Sequence, residues 1–191
     1  KNGHRGLAGS ACLLGGVLWG AYWIPLRHLE AAGFVGTLGT GLIHVIPALV
    51  LLPVMLFRYR SIFRGGIALQ ATGAVMGLAL LLYSTAFLYT DVIRATLLYY
   101  LTPLWGTLLA RAWLLEKVSF DKLVGIVLGF AGMLVIFDVD KGIPLPQNPG
   151  DWMGLGAGIV WALAATLTRR FPEQPAIDVV TSWMIWGSGL A

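Results

Sequence analysis

The residues of this chain that could do chemistry are few, and they sit inside apolar runs. His44 lies about eleven residues into one such run (34–57), where an imidazole can titrate in the physiological range and so pass a proton. The alternative is a neutral histidine hydrogen-bonded to a neighbouring helix. Asp91 and Arg94, three residues apart at the start of another run, could form a helix-end ion pair with each other. Alternatively they form a gate or a contact to a charged solute. Trp19, Tyr22 and Trp23 stand at i, i+3 and i+4, and Tyr83, Tyr99 and Tyr100 reach similar depth when each run is laid across from its charged ends. Aromatic rings with polar tips at one level could line a cavity for an amphipathic solute; the competing reading is an interfacial belt of anchors. Hence Trp19, Tyr22, Tyr83, Tyr99 and Tyr100 are the candidate binding residues, and Trp23 and Tyr89 belong to the belt.

What must position these groups is a set of membrane helices. The 191 residues are 58% hydrophobic and 12% charged, about half the charge of a soluble domain, and the mean hydropathy is +0.79. The basic residues fall in short clusters between apolar runs and form no basic stripe, so nucleic acid is not an expected partner. With Cys12 the one cysteine, there is no internal disulfide and no cysteine metal site. The chain lacks His-Glu-x-x-His, Gly-x-Ser-x-Gly and a phosphate-binding loop. No enzyme, cofactor or metal is therefore expected, and any pumping would draw on an ion gradient or the solute's own. Asp138 and Asp140 could hold a cation only weakly, and a solvated loop reads better.

The expected helices are about 7–26, 34–57, 67–89, 92–115 and 120–137, then a proline-rich external loop over 139–151, a helix over 152–168, and another from about 177. That last run offers thirteen residues, about 20 Å, to Ala191. It is shorter than a crossing, so the chain is expected to stop in mid-helix. Pro25, Pro47 and Pro103 are expected bending points, since each removes a backbone donor that packed neighbours must compensate. Small-xxx-small pairs at Gly16/Gly20, Gly73/Gly77, Gly125/Gly129 and Gly154/Gly158 are expected helix contacts. Lys1, Arg5, Arg58, Arg60, Arg64, Arg111, Lys117, Lys122, Arg169 and Arg170 fall on one face of this layout, against Arg27, Arg94 and Lys141 on the other. The N-terminus is thus expected in the cytoplasm.

The stretch Tyr100-Leu101-Thr102-Pro103-Leu104, a small-residue run and then Leu115-Glu116-Lys117, followed by a glycine-rich helix, resembles the fourth helix of the drug/metabolite transporter superfamily, in its EamA-domain members. The resemblance extends over 7–191. It implies an all-α integral membrane fold: a polytopic helical bundle of two inverted five-helix repeats, ten helices in all. This chain would supply the first repeat (1–138) and the start of an inverted second one (152–191), and the partner missing from it would be the C-terminal repeat of the same protein. An internal match agrees: one register lays Gly16-Val17-Leu18-Trp19-Gly20 over Gly158-Ile159-Val160-Trp161-Ala162, Leu13 over Leu155 and Arg27 over Arg169. With five helices between the copies, the second must enter the bilayer from the opposite side, an arrangement common in secondary transporters.

What the resemblance implies about activity is export or uptake of small metabolites such as amino acids, or of drug-like organic solutes, by alternating access across a bacterial inner membrane. A proton or another ion would be the coupling partner, and Pro103, Asp91 and Arg94 would act as hinge or gate. It also places an arginine in the second helix of many members where this chain has His44. An integral-membrane enzyme and a non-transporting scaffold are the rival classes.

Overall fold

The computed structural model describes residues 2–136 and 145–191, with side chains from Gly9 onward. Lys1 and 137–144 lie outside the described residues, and with them the readings made for Asp138, Asp140 and Lys141. The described chain divides into two compact units, Lys1–Ile43 and His44–Ala191.

The first unit holds α1 (Asn2–Gly20), α2 (Trp23–Ala31) and the first residues of α3 (Thr37–Val50). Gly9–Ala31 is apolar enough to cross a membrane as one piece. Its helix is broken at Ala21-Tyr22. Pro25 explains the break: it has no N–H for the Ala21 carbonyl four residues back, and its ring crowds that group. Between α2 and α3 the chain turns through Gly33 at φ 92°, where a side chain would be strained.

The second unit begins with the rest of α3 and continues through α4 (Leu52–Arg64), α5 (Gly66–Ala86), α6 (Val92–Tyr99), α7 (Thr102–Trp113), α8 (Phe120–Ile136), α9 (Pro149–Arg170) and α10 (Ala176–Leu190). The single helix expected over 34–57, with a bend at Pro47, forms instead as two helices that break after Val50. α3 and α4 meet at a bend of 77°. Pro53 in the first turn of α4 cannot donate back to Leu49, and it biases Leu52 away from helical backbone. The helix expected over 92–115 is likewise divided, at Tyr100-Leu101, and Pro103 stands in the first turn of α7, where its missing N–H costs nothing. The loop expected over 139–151 ends earlier than read, because α9 starts at Pro149 and takes Asp151 into its first turn.

Among the described residues three helical stretches are long and apolar enough to span a bilayer, or four if the bent α3–α4 pair counts as one. The packing is inverted relative to a soluble protein. Many large apolar side chains lie outside, with Phe57 88% and Ile67 89% exposed, while the interior mixes small residues, Ala86, Ala95, Ala157, Ala162, Ala164 and Ser84 among them, with a few large ones such as Leu69, Leu98 and Tyr83. Lipid tails give large side chains no reason to hide, so small residues that let backbones close up take the close helix contacts.

α5 is the centre of the second unit, with α9 and α10 packed along it. Gly154 of α9 lies against Ala95 and Gly158 against Tyr99, so α9 runs alongside α6 in the same direction. Gly150 abuts the carbonyl of Ala86 at the far end of α5, and Gly156 comes near Leu82, so α9 runs antiparallel to α5. Gly73 and Gly77 of α5 meet Ser182 and Gly187 of α10. Two of the four expected glycine pairs are therefore close helix contacts; at Gly16/Gly20 and Gly125/Gly129 an added Cβ would meet nothing within 4 Å.

α7 ends with the amides of Leu114 and Glu116 both donating to the Ala110 carbonyl, at 3.0 and 3.2 Å. Leu115 between them is at φ 54° and largely exposed. A left-handed leucine costs about 1–2 kcal/mol that glycine would not. Leu115→Gly is expected to raise thermal stability by up to about 1 kcal/mol once the looser unfolded chain is allowed for, as read from a melting curve in detergent.

Candidate functional site

The polar and aromatic residues of the second unit gather in three places. The first is a cleft of about 740 Å³ walled by α7, α8 and α9. It exists because α8 stands off from its neighbours, with none of its residues buried. Leu101, Pro103 and Thr107 line one wall, Gly125, Gly129 and Met133 of α8 the second, and Ala162, Thr166 and Arg169 of α9 the third. Tyr100, at the break between α6 and α7, is on this lining and 55% exposed.

Three of the expected aromatic residues do come together, but they do not share a role. Tyr83 and Tyr99 lie with ring centroids 4.6 Å apart, and Tyr99 and Tyr100 at 6.0 Å. Tyr83 and Tyr99 are both buried, and the Tyr83 hydroxyl shares a 3.0 Å hydrogen bond with Thr96 Oγ1. Phe87 packs edge-on to Tyr83 at 4.7 Å. These two tyrosines thus hold α5 to α6 behind the cleft wall, and Tyr100 reaches the cleft itself. Trp19 and Tyr22 stack on each other at 5.7 Å within the first unit.

The second place is the start of α9. Asp151 is wholly buried. Its carboxylate accepts from Thr90 Oγ1 at 2.7 Å, Arg94 Nε at 2.6 Å and the Gln147 amide at 2.9 Å. Asn148 caps the helix by accepting from the Asp151 amide at 2.8 Å, and its own amide donates to Thr90 at 3.2 Å. Arg94 also donates to the Leu145 carbonyl at 2.7 Å. So Arg94, expected to pair with Asp91 in its own turn, has a partner 57 residues away. Asp91 occupies the N-cap position of α6 with extended backbone.

The third place is the opposite end of the bundle. Asp178 in the first turn of α10 is buried; it accepts from Arg58 Nε at 2.6 Å and Nη2 at 3.0 Å, and from Ser61 at 2.6 Å. Arg169, at the end of α9, is paired with Glu116, and Lys122 Nζ lies 3.7 Å from that glutamate. Every one of these carboxylate pairs except that of Lys122 joins the α9–α10 hairpin to an earlier helix or connection. Asp151 and Asp178 were not among the expected site residues. An Asn-Pro-Gly-Asp helix start and a Pro-x-x-Asp start are the signals that mark them.

His44 is buried in α3. Ser188 of α10 donates to its carbonyl at 3.2 Å. Further along the α5–α10 seam, Gln70 Oε1 accepts from Trp186 Nε1 at 2.9 Å, and its amide donates to the Ile62 carbonyl at 3.0 Å.

Long apolar helices, small residues at the close helix contacts and large apolar side chains turned outward define a multi-pass helical membrane protein. Residues 7–138 match the EamA-like transporter family, and the chain belongs to that family. Among curated proteins it is similar to the uncharacterized transporter YyaM of Bacillus subtilis (strain 168), with 26% identity over 111 residues, 56% of this chain and 36% of that protein. The chain thus matches about a third of the length of that relative. No solved structure matches it.

Proposed function

We infer that the chain is the translocating part of a secondary transporter for small organic solutes, metabolites such as amino acids or drug-like compounds, moved by alternating access. The observation that carries this reading is the cleft of about 740 Å³ beside a broken helix, with Tyr100 on its wall and Pro103 at the break. Ligand sites in helical bundles are cavities of this size, mainly apolar with a few placed polar groups. In inverted-repeat carriers they sit at discontinuous helices. The family and its YyaM relative support transport as the general activity.

The direction of α9, opposed to α5 and alongside α6, is what an inverted second repeat would require. On this reading α9 and α10 open that repeat, the N-terminus is cytoplasmic, the membrane is a bacterial inner membrane, and export is the direction. Pro103 is the hinge, Arg94 with Asp151 latches the outer face, Asp91 fixes the start of α6 beside that latch, and His44 carries the coupled proton.

The test is a solute screen in proteoliposomes with an imposed pH gradient. Tyr100→Ala is expected to lower the transport rate at least about tenfold, the loss that follows when an aromatic anchor is cut from a binding site. His44→Gln is expected to leave downhill movement and abolish the response to the gradient. If folded protein moves no solute, or if Tyr100→Ala matches the parent, the cleft is not the path.

A further inference from the structure

The cleft between α7, α8 and α9 is apolar for most of its length but not electrically neutral. Ile126, Phe130 and Met133 give it a greasy wall, whereas Lys122 at one end of α8 and Arg169 at the matching end of α9 give it two cations. Among the described residues no carboxylate lines it. Glu116 stands at this end, paired with Arg169 and 3.7 Å from Lys122. Among these three side chains, one carboxylate facing two cations leaves one positive charge in excess at the mouth of an apolar cleft. Beside low-dielectric walls that excess attracts an anion and repels a cation more strongly than it would in water.

We propose that this cleft takes organic monoanions, a carboxylate on an apolar body, with the carboxylate held at Arg169 and Lys122 and the body laid along α8. Glu116 is the resident counter-ion that the incoming carboxylate displaces. The assignment rests on the cleft being the solute site and adds its charge class. Tyr100 and Thr107 supply hydroxyls further along the lining, so a body with one polar substituent also fits.

Equilibrium binding of radiolabelled 2-naphthoate to the protein in phosphatidylcholine nanodiscs tests this, with 2-naphthylmethanol and 2-naphthylmethylammonium as the neutral and cationic controls of the same shape. The order expected is anion, then alcohol, then ammonium, with at least about tenfold between the first and the last. Arg169→Gln is expected to weaken naphthoate at least about tenfold and leave the alcohol unchanged. Arg169→Lys keeps the charge and retains most of the binding. Should Arg169→Gln not fold, Lys122→Gln beside Arg169→Lys gives the same comparison.

Glu116→Gln decides between a displaced counter-ion and a structural anchor. Removal of a competing carboxylate tightens naphthoate, whereas loss of an anchor weakens it or leaves it alone. The proposal is overturned by equal binding of the three probes, by weaker or unchanged binding in Glu116→Gln, or by a co-purifying phospholipid that native mass spectrometry shows naphthoate cannot displace. Naphthoate that binds in the expected order but never crosses a liposome sinks the transport reading and leaves the charge class standing. Transport that is indifferent to charge and to Arg169→Gln does the reverse.

Discussion

Gly158→Val is expected to prevent α9 from docking, at a cost of about 3 kcal/mol or more in stability, enough to lose folded protein on purification. A Cβ at Gly158 would lie 2.8 Å from the Tyr99 carbonyl oxygen and 3.2 Å from Thr102 Oγ1. Backbone cannot swing aside as the tip of a side chain can, so the helices must separate. Two terms oppose each other here. Replacing a mid-helix glycine by alanine gains about 1 kcal/mol of helix propensity, while forcing two backbones apart forfeits dispersion along the whole seam. Gly154 repeats the situation one turn earlier, its Cβ 2.9 Å from the Ala95 carbonyl, so relief by local shift at one site worsens the other. The clash should therefore win, and even Gly158→Ala should destabilise. Gly16→Ala is the contrast, because nothing lies within 4 Å of its Cβ and only the propensity gain remains. Melting curves in a mild detergent check the pair; a Gly158→Ala protein as stable as Gly16→Ala would show that the α9 seam is looser than its geometry.

How far the fold could be read in advance depended on the range of the interaction. Apolar runs between charges mark where helical segments lie, because that pattern is local and the bilayer enforces it, but not that 34–57 and 92–115 are each divided in two. Proline marked the breaks as well, though the chain uses them unevenly. Pro103 and Pro25 fall where bends were expected, whereas Pro47 sits inside α3 and the sharp turn comes at Pro53. A missing N–H says where a helix can break, and only the neighbours decide whether it does. Glycine spacing was half informative for the same reason: Gly125/Gly129 has the motif but no helix against it. The ion pairs were beyond local reading. Arg58 counted only as a topogenic charge until Asp178, 120 residues later, supplied its partner. In the sequence Asp151 reads as loop because three prolines fall between 138 and 151, although Asn148 and Pro149 together are a helix start.

Asp151→Ala should be the most damaging single change at a charged position, about 3–5 kcal/mol, since it strips a buried ion pair of its acid and leaves Thr90 and the Gln147 amide facing a void. Asp151→Asn tests how much of that is charge. Asparagine keeps the shape and one carbonyl acceptor, so it should retain the Thr90 contact and part of the α9 start, and cost less than half as much. The damage ought to be local to the join of α5, α6 and α9, because the Asn148 cap holds the same helix end independently. A double-mutant cycle with Arg94→Ala separates a true pair from two unrelated losses: a coupling of at least about 1 kcal/mol is expected for groups in direct contact, whereas simple additivity would assign the arginine to other partners. The cycle also bears on gating. A bond that must open in every transport cycle cannot be too strong, so variants that weaken this join without unfolding the bundle, Asp151→Asn first among them, should raise modification of a cysteine placed at Ala86, which is wholly buried at this join, by a membrane-impermeant reagent. If labelling stays at the parent level while stability falls, the join is a fixed clamp, and the moving contact must be sought among Arg58, Asp178 and Glu116 at the other end.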